Sequence, residues 1–139
     1  MKEFTLVTCS ETELNILAEL NKQLIEDEKH DNKMGVEQLK ERMRLFINSD
    51  YNAYLFKNDE TVVGYALIDI TKEPLYLRQF FICRELRRKG YGTAAFNRLI
   101  ETLGTSAIDI EVLSRNARGK SFWRSLGFCE RSVYMRYEK

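Results

Sequence analysis

The sequence predicts an α/β chain of the α+β kind, a mixed and mostly antiparallel sheet flanked by helices in the order βααβββαβαβ. Three observations carry this expectation. Two stretches of helical apolar periodicity come first, three runs rich in β-branched and aromatic residues follow with no helix between them, and a basic Gly-x-Gly turn then opens a helix. Residues 4–7 read as a short first strand. Ser10 and Glu13 have the spacing of a capping box, and Leu14, Leu17, Leu20, Leu24 and Ile25 recur behind them at helical intervals. The polar interval 26–35 breaks that pattern, and Val36, Leu39, Met43, Phe46 and Ile47 resume it as a second amphipathic helix. Runs 51–57 and 61–70, separated by Asn58-Asp59-Glu60, predict an antiparallel hairpin. After a turn holding the one proline, Pro74, residues 76–82 form a third strand of this region. A helix over 91–103 ends at Gly104, residues 107–112 return as a strand, and residues 116–126 are helical until Gly127. Residues 128–136 close the chain as a final strand.

At 139 residues the chain is expected to be one domain, 1–139, able to bury roughly two-thirds of its unfolded surface without staples. Lys plus Arg total 22 against 21 Asp plus Glu, a net charge of +1 that gives no global pull toward nucleic acid or an acidic membrane. Any anion site must then be local. Cys9, Cys83 and Cys129 are odd in number and far apart, which suits reduced thiols, and a single histidine, His30, argues against a structural metal site. The start of the chain turns polar too soon for a secretory leader, and no apolar run is long enough to span a bilayer. The expectation is a soluble, cytoplasmic protein with no membrane or nucleic-acid partner.

The segment Leu86-Arg87-Arg88-Lys89-Gly90-Tyr91-Gly92-Thr93 reads as a phosphate clamp. Two glycines let the backbone bend close to an anion, and three cations stand beside a helix start whose first N–H groups have no partner within the helix. Other readings compete. The run Gly90-Tyr91-Gly92-Thr93-Ala94-Ala95 fits the Rossmann fingerprint, with Asp109 about twenty residues on, but Cys83 to Lys89 intervene between strand and first glycine, and an antiparallel hairpin is foreign to a doubly wound sheet. A solvated basic loop is the bland reading. Nucleic-acid binding through Arg84, Arg87, Arg88, Lys89, Arg115, Arg118 and Lys120 conflicts with the neutral overall balance.

Arg87-Arg88-Lys89-Gly90-Tyr91-Gly92 resembles the cofactor motif Gln/Arg-x-x-Gly-x-Gly/Ala of the GNAT superfamily of acetyl-CoA-dependent N-acetyltransferases. Asn116 to Phe128 is similar to the family's second motif, Asn-x-x-Ala-x-x-Phe/Leu-Tyr-x-x-x-Gly-Phe, with Gly119 at the alanine and Trp123 at the tyrosine. The resemblance covers essentially the whole chain. It implies that backbone N–H groups of Arg88, Lys89, Gly90, Tyr91 and Gly92, with Thr93, cradle the pyrophosphate of acetyl-CoA while Arg87, Arg88 and Lys89 neutralise it. The strand ending in Phe81 and Ile82 would offer main-chain groups to the pantetheine arm, splaying from the strand 108–112. Asn116, Phe122 and Trp123 would complete the cofactor site, although Phe122 is equally a plain core aromatic.

The chemistry implied is attack of an amine on a thioester, with much of the rate coming from orientation. Trp123 stands where relatives carry a tyrosine acid, and its indole cannot supply a proton in that way, so Tyr134 is the substitute, against a packed strand aromatic as the simpler reading. Glu26, Glu28 and His30, in an acidic interval on the expected substrate side, are the candidate bases, against a solvated interhelical loop. Glu26, His30, Arg78 and Gln79 are the candidate acceptor contacts. Arg78 would bring a carboxylate or phosphate on the acceptor into play. The expected reaction moves an acetyl group from acetyl-CoA to a primary amine of a small molecule, with no metal and with a homodimer open. Alternatives are acetylation of a peptide N-terminus or lysine, and a sensor that binds acyl-CoA without turnover.

Overall fold

The computed structural model describes residues 4–29 and 31–139. Its elements are β1 (Thr5–Thr8), α1 (Leu14–Asp27), α2 (Val36–Ile47), β2 (Tyr51–Asn58), β3 (Thr61–Asp69), β4 (Leu75–Ile82), α3 (Tyr91–Leu103), β5 (Ile108–Asp109) and α4 (Ala117–Ser125). Short 3-10 turns, Glu11–Glu13 and Arg84–Leu86, precede α1 and follow β4. The sheet runs β1-β2-β3-β4-β5, antiparallel throughout except for the parallel β4–β5 pair. The mixed, mostly antiparallel architecture expected from the sequence is the one observed.

The start of α1 follows the capping logic of its sequence. The Ser10 N–H donates to Glu13 Oε1 at 2.7 Å, and the Glu13 N–H returns to Ser10 O at 3.1 Å, so the chain enters the helix with its first donors occupied. The apolar stripes of α1 and α2 then cover one face of the sheet. Leu14, Leu17, Leu20, Leu24 and Met43 pack there on Leu55, Tyr65, Leu67 and Phe81. On the opposite face Ala95, Phe96 and Leu99 of α3 lie on Tyr54, Phe56, Ala66, Ile68, Leu77 and Ile82, with α4 contributing Trp123. Where β3 meets β4 the backbones come very close. A Cβ built on Gly64 would stand 1.9 Å from the carbonyl oxygen of Phe81, so only glycine fits that position.

The pleat of β4 is interrupted once. Leu67 pairs with Gln79 but Ile68 pairs with Leu77, which leaves Arg78 as an extra residue in a β-bulge. Without the bulge Leu77 would share a face with Gln79 and Phe81. With it, Leu77 turns to the α3 side, while the guanidinium of Arg78 stands 5.0 Å from the Phe46 ring of α2. Arg78 and Gln79, both candidate acceptor contacts from the sequence, lie on the α1–α2 side and line a cleft there.

Two expectations at the end of the chain are corrected. The strand predicted over 107–112 pairs with β4 only through Leu75–Ile108 and Tyr76–Asp109. The final strand predicted over 128–136 joins no ladder, so the sheet has five strands. A strand exists only by pairing, and after the Phe128 N–H reaches Trp123 O at 3.1 Å no main-chain bond to residues 129–136 appears among the described residues. Its alternating side chains consequently lie open, Val133 at 70% and Met135 at 85% exposure.

Candidate acetyl-donor and acceptor cleft

The basic turn has the geometry of an anion cradle. Arg88 has φ 62° and Gly90 φ 80°, both left-handed, so consecutive peptide groups turn their N–H vectors to one side. The 13-residue helix α3 begins at the next residue with no side-chain cap on its first N–H groups. Arg88, Lys89 and Thr93 are exposed around it. A pyrophosphate fits such a concave, uncapped, cationic turn.

Three residues of this turn have other duties than expected. Arg87 is held down: its Nε donates to Ile82 O at 2.8 Å, its Nη2 pairs with Asp27 at the end of α1, and its guanidinium lies 5.2 Å from the Phe81 ring. Tyr91 points inward, accepting from Asn58 Nδ2 at 3.3 Å and packing on Phe4 at 5.5 Å between centroids. Gly92 is glycine for packing as well as access, since an added Cβ would stand 3.1 Å from the Phe122 ring. Asn116, expected to reach the donor, accepts from the Gly119 N–H at 2.9 Å and so caps α4. That contact also explains glycine at 119, where a Cβ would approach Asn116 Nδ2 to 2.4 Å.

Beyond the two residues that pair, β4 and the chain after β5 diverge, and a cleft of about 620 Å³ opens between them. Leu77 to Phe80 form one wall and Ile110 to Ser114 the other, with Trp123 behind and α1 and α2 above. Phe81 and Ile82, expected to serve the donor arm, are buried at 2% and 8% exposure, so only their main chain is on offer there. Phe122 and Trp123 belong to one aromatic cluster. Trp123 lies 5.2 Å from Phe80, 5.8 Å from Phe96 and 5.1 Å from Phe128, mostly edge to face.

The acidic interval is divided by the fold. Glu28 lines the cleft. Glu26 is turned away and pairs with Arg84 at 3.3 Å, and Asp27 binds both Arg84 and Arg87. His30 lies outside the described residues. Tyr134 stands on the rim but is 79% exposed, its hydroxyl accepting from Arg136 Nη2 at 3.0 Å.

Four residues of the cleft, Asn21, Arg42, Tyr76 and Glu111, were missed from the sequence, as was Tyr65, which is bonded to the cleft residue Gln79. The Tyr65 hydroxyl, fully buried, donates to Gln79 Oε1 at 2.7 Å, and burial pushes its pKa up. Asn21, 1% exposed on the apolar stripe of α1, accepts from Arg42 Nη2 at 3.1 Å. Tyr76 donates to Glu111 Oε1 at 3.0 Å, and burial, followed by that carboxylate, pushes its pKa up to about 12. A polar residue amid Leu14, Leu17 and Leu24 was the one visible signal, at Asn21. The others acquire meaning only from neighbours distant in sequence.

The chain matches the model of the acetyltransferase (GNAT) family over residues 16–128. Among solved structures it is similar to a possible acetyltransferase from Clostridium difficile 630, with TM-score 0.79, 15% identity and coverage of 98% of this chain and 97% of that one. It is similar also to AAC(6')-Iy in complex with a bisubstrate analogue, CoA-S-monomethyl-acetylneamine, with TM-score 0.70, 18% identity and coverage of 99% and 98%. A third is an aminoglycoside acetyltransferase from an uncultured soil metagenomic sample in complex with sisomicin, with TM-score 0.68, 15% identity and coverage of 98% and 95%. No curated protein sequence matches. At these identities the solved structures establish the fold, and the family model, spanning most of the residues that build the cradle and the cleft, establishes that the chain belongs to the GNAT family of acetyltransferases.

Proposed function

We propose that this acetyltransferase moves an acetyl group from acetyl-CoA to a primary amine of a small molecule by direct attack in a ternary complex. The observation that carries this reading is the continuity of cradle and cleft: β4 leads from the divergence at Tyr76 into the turn before α3, so a donor anchored at Arg88 to Thr93 runs along its open edge. Acetyl-CoA supplies an activated thioester. The residues of the chain orient it, exclude water with the aromatic wall of Phe80 and Trp123, and present main-chain N–H groups of β4 to the carbonyl oxygen.

In the transfer a C–N bond forms and the C–S bond breaks, the amine gives up one proton, and the sulfur leaves with the bonding pair as thiolate. Of the cleft-lining carboxylates, Glu111 is bonded to Tyr76 and Glu130 is paired with Arg124, and Glu28 is assigned to take that proton, through water where the reach demands it. Tyr76, beside the divergence, is kept protonated by burial and donates its one hydroxyl hydrogen to Glu111, so the sulfur departs as thiolate without a proton from Tyr76. Two of the similar structures are aminoglycoside acetyltransferases, which supports a small-molecule acceptor. Trp123 in an aromatic cluster, rather than a proton donor, is the observation that keeps the acyl-CoA sensor as a second reading. Isothermal titration with acetyl-CoA, paired with a free-thiol release assay over a panel of amines, separates them. Binding with amine-dependent release is expected, and binding without release for every amine supports the sensor.

A further inference from the structure

The α1–α2 wall of the cleft carries two arginines, Arg42 and Arg78, that form no close ion pair among the described residues. Arg42 lies partly buried and donates from Nη2 to Asn21 Oδ1 at 3.1 Å. Its Nε is buried with no hydrogen-bond partner among the described residues, and so is Asn21 Nδ2. Arg78, delivered to this side by the β-bulge, leans on the rings of Phe46 at 5.0 Å and Tyr51 at 5.9 Å and donates to the Tyr51 hydroxyl at 3.3 Å. Arg42 lies over the same Phe46 ring at 5.6 Å. Among the described residues, the ion pairs formed by other arginines of the chain have no counterpart at either of these two. Burial, together with the charge of Arg78, lowers the pKa of Arg42, the direction expected of two cations facing one gap.

A desolvated guanidinium without an anion is costly, as is a buried amide N–H₂ without an acceptor. Phe46, shared by both guanidinium groups, fixes the two forks around one space, and Asn21 adds a donor to it. Glu28, Glu111 and Glu130 line the same cleft, so one sign of charge does not run through the whole chamber. Guanidinium donors and carboxylates lining one chamber describe a ligand that carries both charges.

The geometry points to an acceptor that is an amine bearing a carboxylate, its anionic group held by Arg42, Arg78 and Asn21 and its amine directed toward the β4–β5 divergence. This rests on the acetyl-transfer reading above and narrows its acceptor to an amino-acid-like class, away from the polycationic aminoglycosides of two similar structures. The transfer step is unchanged, and the carboxylate takes no part in bond making. A planar carboxylate accepting from two guanidinium groups is a charge-assisted arrangement, which sets the expected discrimination at tenfold or more.

The test combines two measurements on the full chain. Titration with acetyl-CoA first establishes donor binding. Thiol release is then followed with the twenty L-amino acids, β-alanine and 4-aminobutanoate, each beside its carboxamide, and with spermidine and sisomicin. At least one carboxylate-bearing amine is expected to turn over with kcat/KM at least ten times that of its amide. Arg78→Gln, at an exposed position that leaves folding intact, and Arg42→Gln are each expected to raise KM for that acid tenfold or more, to leave its amide within threefold, and to change kcat little. Arg42→Lys is expected to recover part of the loss. Preference for amides or for the polycations, absence of turnover with every carboxylate by protein that binds acetyl-CoA, or equal losses for acid and amide in Arg78→Gln overturns the inference while donor binding stands. Failure to bind acetyl-CoA overturns the transfer reading and this inference together.

Discussion

The two faces of the sheet do different work, and β4 shows the difference within eight residues. Toward α3 and α4 it presents Phe80 and Ile82, which join Phe96, Phe122, Trp123 and Phe128 in packing that is almost wholly apolar. Toward α1 and α2 it presents Arg78 and Gln79, amid Asn21, Arg42 and the Tyr65 hydroxyl. Aromatic packing is forgiving in chemistry and demanding in volume, whereas a polar group in a core is demanding in partners. A protein retains the second kind of interior only where something is gained, and here that side is the wall of the cleft.

Substitutions that breach the contact shared by both faces are expected to do most damage. Gly64→Ala drives a methyl group into the Phe81 carbonyl, 1.9 Å from the ideal Cβ, and separates β3 from β4. A loss of about 3 kcal/mol or more is expected in urea denaturation, and a loss below about 1 kcal/mol contradicts the close approach. Next comes the aromatic face alone. Trp123→Ala is expected to cost about 3 kcal/mol in the same experiment, because it empties the centre of a cluster with ring distances near 5 Å. If the faces divide their work as described, Arg78→Gln, exposed and on the other face, changes stability by less than about 0.5 kcal/mol.

Gly92→Val tests whether one glycine serves both packing and donor binding. It is expected to lower stability by about 1–2 kcal/mol through the Phe122 ring and acetyl-CoA affinity at least tenfold. Adding Phe122→Ala gives the valine room, so calorimetry should show part of the lost stability restored with affinity still low. Recovery of both together would mean that Gly92 matters only for packing.

A last effect is a slope with pH, confined to alkaline conditions. Burial pushes the Cys9 thiol, in the α1–α2 core, up to about 12 from its ordinary 9.0, and Tyr76 moves up to about 12 from 10.0. Both groups are held protonated by the folded state, so their contribution is complete below pH 9 and is lost as pH rises toward 12. Each group lowers stability by at most about 1.4 kcal/mol per pH unit in that window. Urea midpoints measured from pH 8 to 11 should fall, and Cys9→Ala should flatten the decline. An unchanged slope in that variant would place the sensitivity elsewhere.

Much was readable before any coordinates. The capping pair Ser10 and Glu13, the apolar stripes of α1 and α2, the hairpin around Asn58 to Glu60 and the basic glycine turn are encoded within a few residues each, where backbone preference and periodicity act locally. The same local rules misjudged residues 128–136, whose alternation is that of a strand but whose strandness needs a neighbour. They also gave no sign that Arg87 pairs with Asp27, about sixty residues away, or that Glu26 pairs with Arg84.

Order along the chain thus prescribed the helices, the hairpin and the bent cationic turn, because a dihedral preference or a 3.6-residue stripe needs no distant partner to be expressed. The meeting of Asn21, Arg42, Arg78 and Gln79 was settled by folding alone. One surplus residue in β4 rotates a side chain by half a pleat, and only two packed helices decide which charge it then finds opposite.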